Sequence, residues 1–177
     1  MKYQKFIILL LLITLSLAAC RRGQNQPTEE ELSKTMPQEH NYASGSVGYP
    51  VLTNGVGIEV DRAGLPAVQD DSNPDYVHVI LDLTVTNESE YVVVPPGMTL
   101  VDDHDNIYVS WQDELPYDIV RMPLSVNSGA GVTGHLAYVV PKAAIQDNLR
   151  LRWESDLHQC RIDVFLGPLG ERYPLPE

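Results

Sequence analysis

"DYVHVILDLTVTN", Asp75–Asn87, decides the fold. Val77, Val79, Leu81, Leu83 and Val85 share one face of an extended chain. His78, Asp82, Thr84 and Thr86 share the other, broken only by Ile80. Side chains alternate across a strand, so this period of two predicts one face in a core and one in water.

The chain around it carries the same signal. Asn87-Glu88-Ser89-Glu90 reads as a turn, and Tyr91–Val94, "YVVV", as the next strand, stopped by Pro95-Pro96-Gly97. "MTLVD" and "NIYVSW" read as the arms of a hairpin joined through Asp102–Asn106. "DELPYDIVRMPLSVNSGAG" is irregular, interrupted by Pro116 and Pro123. "GVTGHLAYVVP" places Val132, Leu136, Tyr138 and Val140 on one face. "LRLRW" turns Leu149, Leu151 and Trp153 in and Arg150 and Arg152 out; "CRIDVFL" turns Cys160, Ile162, Val164 and Leu166 in. Upstream, Asn54-Gly55 is a turn leading into a short strand through Val60, and "AVQDDSNPD" is a polar loop. About eight short strands and no helix of core length predict an all-β fold, a β-sandwich. The composition agrees: nine Tyr against two Phe, plentiful Val and Leu, and prolines throughout.

The N-terminus reads as an address. Lys2 and Lys5 precede an almost wholly apolar run from Phe6 to Leu17, then Ala18, Ala19 and Cys20. A charged start, a short apolar core and small residues before a cut site define a secretory signal. The run is about 12 residues, against roughly 20 for a spanning helix. Leu17-Ala18-Ala19-Cys20 resembles the bacterial lipobox, in which the cysteine sulfur takes a diacylglyceryl group and the chain is cut between Ala19 and Cys20. Two or more acyl chains hold a protein stably to a membrane where one does not. The expected organisation is a lipoprotein signal peptide at 1–19, a lipidated cysteine and flexible tether at 20–46, a sandwich at 47–168 and a C-terminal tail at 169–177. The tether segment is rich in Gln, Glu, Ser and Pro and has no apolar period. The expected location is the cell membrane or outer membrane, lipid-anchored on the extracytoplasmic side.

The formal charge is −12, and loss of Lys2 and Lys5 with the signal makes the mature part more acidic still. Such a chain is a poor nucleic-acid binder, because phosphate contacts need a basic patch. An anionic membrane surface would repel it, so attachment falls to the lipid.

"VILDLTVTNESEYVVV", "MTLVDDHDNIYVSW", "VNSGAGVTGHLAYVVP" and "LRLRW" together resemble a bacterial domain family whose members are often lipoproteins. The resemblance covers roughly Gly55–Phe165. It implies an immunoglobulin-like fold related to a secreted immunoprotective antigen. Two positions depart from the pattern. Ser128-Gly129-Ala130-Gly131 stands where a Pro-Gly is usual, and Asn106 stands where the hairpin turn usually has glycine. Both substitutes tolerate a left-handed turn.

Chemistry-bearing residues are sparse. Asp102, Asp103 and Asp105 crowd one turn, and Asp70, Asp71 and Asp75 another loop. Calcium takes six to eight oxygens, and clustered loop aspartates supply several, but the spacing is not that of an EF-hand. Aspartates are also ordinary turn residues. Cys160 falls on an inward face, where a thiol is inert packing. The five histidines form no close sequence pair, although His78 and His135 point outward from strands and are candidates for cross-sheet neighbours. No GxSxG elbow or phosphate loop is present. The leading expectation is a non-enzymatic interaction domain that meets an envelope protein partner through Trp111, Tyr117 and Ile119. The alternative is a calcium-dependent binding module with acidic loops, its ligands Asp102, Asp103 and Asp105. An envelope hydrolase has no motif behind it.

Overall fold

The computed structural model describes residues 40–66, 73–111, 113, 119–169 and 172–173. The signal peptide, Ala19, Cys20 and most of the tether, together with Asp70, Asp71 and Tyr117, lie outside the described residues. Among those described, no helix is long and apolar enough to cross a membrane.

Among the described residues, ten strands form two sheets. In chain order they are β1 (Asn41–Ser46), β2 (Val51–Thr53), β3 (Val56–Pro66), β4 (Tyr76–Asn87), β5 (Thr99–Val101), β6 (Ile107–Val109), β7 (Ala130–Pro141), β8 (Arg150–Ser155), β9 (Cys160–Phe165) and β10 (Arg172–Tyr173). The first sheet runs β1-β9-β8-β5-β6. The second runs β10-β3-β4-β7, with β2 on β3. One apolar cluster joins Val79, Leu81 and Leu83 of β4 and Tyr138 of β7 to Leu100, Leu151, Trp153 and Ile162 of the first sheet. The protein is an all-β sandwich.

The expected faces hold. Val77, Val79, Leu81, Leu83 and Val85 are buried, as are Leu149, Leu151, Trp153, Cys160, Ile162, Val164 and Leu166. The expected hairpin is β5 and β6, turning through Asp102–Asn106.

Four features differ from the sequence reading. The sheet begins at Asn41 rather than Val47, because β1 pairs in parallel with β9. "NYASGS" lacks apolar alternation, and a distant strand supplies its partners. At the other end, Leu169 is buried and β10 pairs in parallel with β3, so structure continues into the expected tail. Tyr91–Val94 is not a strand. Only Val93 bridges, to Val126, and the two prolines that follow end the run.

The outer face of β4 is the fourth. It is not wholly wet, since His78 and Ile80 are buried there. Ile80 stands opposite the buried Ala137 of β7. Trp111 and Val120 pair with the edge of β7 away from β4: the Trp111 amide donates to Ala137 O at 2.7 Å, and the His135 amide to Val120 O at 2.8 Å. His78 and His135 share the outer face without being neighbours. His78 is opposite Val139 and His135 opposite Asp82. They are four positions apart, about 13 Å along the sheet.

Candidate functional site

The acidic turn is a self-contained structure. Asp102 is buried at the end of β5. Its Oδ1 accepts the amides of His104 and Asn106, both at 2.9 Å. Its Oδ2 accepts Asn106 Nδ2 at 2.9 Å and the Tyr108 hydroxyl at 2.8 Å. Burial pushes the Asp102 pKa up, but these bonds from Asn106, Tyr108 and His104 outweigh it and hold the carboxyl down at about 2. Tyr108 answers in the opposite sense, raised to about 12 by burial and by its bond to the carboxylate.

The three aspartates expected to converge do not. Asp103 takes the amide and side-chain nitrogens of Asn148 at 3.2 and 2.8 Å. Asp105, in the left-handed region at φ 59°, pairs with Arg150 at 2.9 Å. The ligand atoms that do gather are those of Asp102, His104 and Asp147, within 4.8 Å of one another. Both Asp102 oxygens already accept two hydrogen bonds each, so the turn has internal partners where a calcium ion needs oxygens.

Trp111 and Ile119 come together beside Pro96, Arg121 and Ala137. They line a cavity of about 10 Å³, room for one water at most. Trp111 is 39% exposed and Ile119 half-buried. Cys160 is fully buried, and burial pushes its thiol pKa up. That is the setting of a packing residue.

The outer face of the first sheet is more open. Register sets Tyr42, Arg161 and Glu154 in one row across it. The next row is Ser44, Asp163, Arg152, Thr99 and Val109. The third is Ser46, Phe165, Arg150, Val101 and Ile107. Asp163 sits at the centre with its side chain 2% exposed. Arg152 donates to it through Nε at 2.9 Å and Nη2 at 3.2 Å, and Arg161 through Nη2 at 2.7 Å. Arg150 lies at 3.7 Å. Burial raises the Asp163 pKa, yet the hydrogen bonds from Arg152 and Arg161 bring it below the usual carboxylate range. Tyr42, at 57% exposure, lies 5.5 Å from the Arg161 guanidinium, and Phe165, Ile107 and Val109 are exposed around the cluster.

The sequence reading placed Arg150 and Arg152 outward but missed Asp163. The signal was a lone acid at an outward position of "CRIDVFL", in register with outward arginines.

A third feature joins three loops. Asn54 of the β2–β3 turn, residues 88–91 after β4, and residues 157–159 of the β8–β9 turn line a cleft of about 390 Å³. Asn87, the last residue of β4, is fully buried where the 88–91 loop begins. Its amide nitrogen donates to Tyr91 O at 2.7 Å and Val126 O at 2.9 Å, and its oxygen accepts the Ser89 amide at 3.0 Å and hydroxyl at 2.6 Å.

No family model matches the chain, and no curated protein matches it. Solved structures do. The chain is similar to the yjhA protein from Bacillus subtilis, at 18% identity and a TM-score of 0.48, over 69% of this chain and 98% of that one. It is similar to the secreted protein MPT63 from Mycobacterium tuberculosis, at 15% identity and 0.49, over 71% and 96%. It is similar to a β-sandwich protein from Clostridium difficile 630, at 10% identity and 0.44, over 73% and 97%. What each of them does stays with that protein.

Proposed function

We propose that the protein is a membrane-anchored lipoprotein whose sandwich is a non-catalytic interaction domain of the cell envelope. In this reading the outer face of the first sheet is its contact surface for a protein partner. One observation carries it: exposed Tyr42, Phe165, Ile107 and Val109 surround three arginines held in place by one buried aspartate. Tyr, Phe and Arg are the residue types enriched at protein interfaces, and well-packed clusters of them dominate binding energy. The Asp163 hub fixes the arginine side chains beforehand, which lowers the ordering cost of docking. This reading puts the contact there rather than at Trp111 and Ile119, of which Trp111 is 39% exposed and Ile119 half-buried.

The test is a photo-crosslinking side chain in place of Phe165, in the full chain on its native membrane. A discrete adduct is expected, lost on Tyr42→Glu and absent when the crosslinker replaces the exposed Leu124. Equal labelling from both positions, or an adduct indifferent to Tyr42→Glu, overturns the reading.

A further inference from the structure

The three-loop cleft is built and unassigned. Its volume falls within the roughly 300–1,000 Å³ of small-ligand sites. The loops are tied to each other directly. Asn54 Nδ2 donates to His158 O at 2.8 Å, and the Glu88 amide donates to Gly55 O at 2.6 Å. Gly55 is left-handed at φ 77°, and a Cβ there would lie 2.9 Å from the Ser89 nitrogen. The turn therefore packs against the 87–91 loop closely enough to require glycine. Two non-glycine residues of the wall, Asn54 at φ 47° and Gln159 at φ 50°, are also left-handed. Such conformations persist where the surroundings fix them, and they gather at binding sites.

The wall carries an unanswered polar atom. His158 is 6% exposed, its ring edge-on to Trp153 at 4.9 Å and to Tyr91 at 5.7 Å. Nδ1 meets Ser155 Oγ at 2.8 Å. Nε2 is buried with no partner among the described residues. Buried polar atoms are nearly always satisfied, so an orphan in the wall of a cleft points to a missing partner. In the tautomer whose Nδ1–H donates to Ser155 Oγ, Nε2 is a lone-pair acceptor.

The other chemistry around the cleft has the same sense. The donors of Asn54 and Ser89 are spent within the protein, on the His158 and Gln159 carbonyls and on Asn87 Oδ1. The exposed carboxylates of Glu88 and Glu90 are not. Tyr91, half exposed, offers a ring face, and Leu157 an exposed aliphatic wall. Carboxylates, an aromatic face and an imidazole lone pair together favour a donor-rich cation, and the net acidity of the chain adds to the attraction. Glu88, Glu90 and His158 are not close enough together to form a preformed metal cluster among the described residues.

We propose that this cleft binds a small organic cation, an ammonium or guanidinium carried on an aliphatic stem. The stem packs on Tyr91 and Leu157, the charge lies between Glu88 and Glu90, and an N–H reaches His158 Nε2. The proposal is independent of the sheet-face reading.

The experiment is an NMR titration of the full chain with two probes, putrescine and Nα-acetyl-arginine amide. The first stands for a free amine, the second for a side chain of a protein. Saturable shifts of the His158 and Tyr91 ring signals are expected with at least one probe. Affinity should fall at least tenfold in Glu88→Gln/Glu90→Gln and stay unchanged in Asp61→Asn, an exposed acid elsewhere. Putrescine alone binding assigns a free amine; the arginine amide alone assigns a protein side chain. Absence of saturation with both, equal loss in Asp61→Asn, or equal binding of uncharged 1,4-butanediol overturns the proposal.

Discussion

The Tyr108 hydroxyl donates to the Asp102 carboxylate across 2.8 Å and closes the turn between β5 and β6. Asp102 has a folded pKa below its ordinary value, so its contribution is present above about pH 4. That contribution is lost as the pH falls toward about 2, and is worth about 2 kcal/mol at neutral pH. Asp102→Asn should remove this acid-sensitive component from denaturant unfolding measured between pH 2 and 5. Tyr108→Phe should cost about 1.5 kcal/mol at pH 7. An unchanged pH dependence in Asp102→Asn contradicts the assignment.

Asp163 and Asp105 both meet arginines, but from different depths. Asp163 is buried and Asp105 is 80% exposed. Asp163→Ala leaves three guanidiniums facing one another and should cost about 3–5 kcal/mol. Asp105→Ala should cost under about 1 kcal/mol, and less in high salt. Chemical denaturation of the two variants separates the cases. Equal costs would mean that Asp163 does not organise the sheet face.

Asn87 satisfies four partners from a fully buried position. Asn87→Ala should lose about 2–3 kcal/mol, because the Tyr91 and Val126 carbonyls and the Ser89 donors lose their partner. Glu88→Gln, next to it on the surface, should stay within about 0.5 kcal/mol. Thermal unfolding of both variants checks the contrast.

Much of the sandwich was legible in the sequence, and for a local reason. The alternation of Val77–Val85 and of Leu149–Trp153 states a face without reference to any other strand. The hairpin through Asp102–Asn106 is legible because its partners are adjacent in the chain. The features that escaped are the ones made by distant residues. β1 has no pattern of its own and is a strand because β9 accepts it. Ile80 is buried because of what lies across from it on β7, which no period reveals. The cleft brings Asn54 to His158 across about a hundred residues of chain, and neither carries a motif. Of the expected site residues, Trp111 and Ile119 do meet, while the three acids point to separate partners.

Those separate partners bear on calcium. Asp102, Asp103 and Asp105 are engaged by Tyr108, Asn148 and Arg150. Millimolar calcium should leave the thermal midpoint unchanged, since a ligand stabilises only what it binds. A calcium-dependent rise, abolished by Asp103→Asn, would restore the acidic turn as a metal site.

The proposal that the domain works at a membrane rests on Cys20. The measurement that tests it most directly is the mass of the N-terminal peptide of protein taken from its native membrane, beside a Cys20→Ala variant. The account predicts a chain that begins at Cys20 and carries two or three acyl groups, and a variant that leaves the membrane fraction. An unmodified Cys20 on a soluble secreted chain would contradict it.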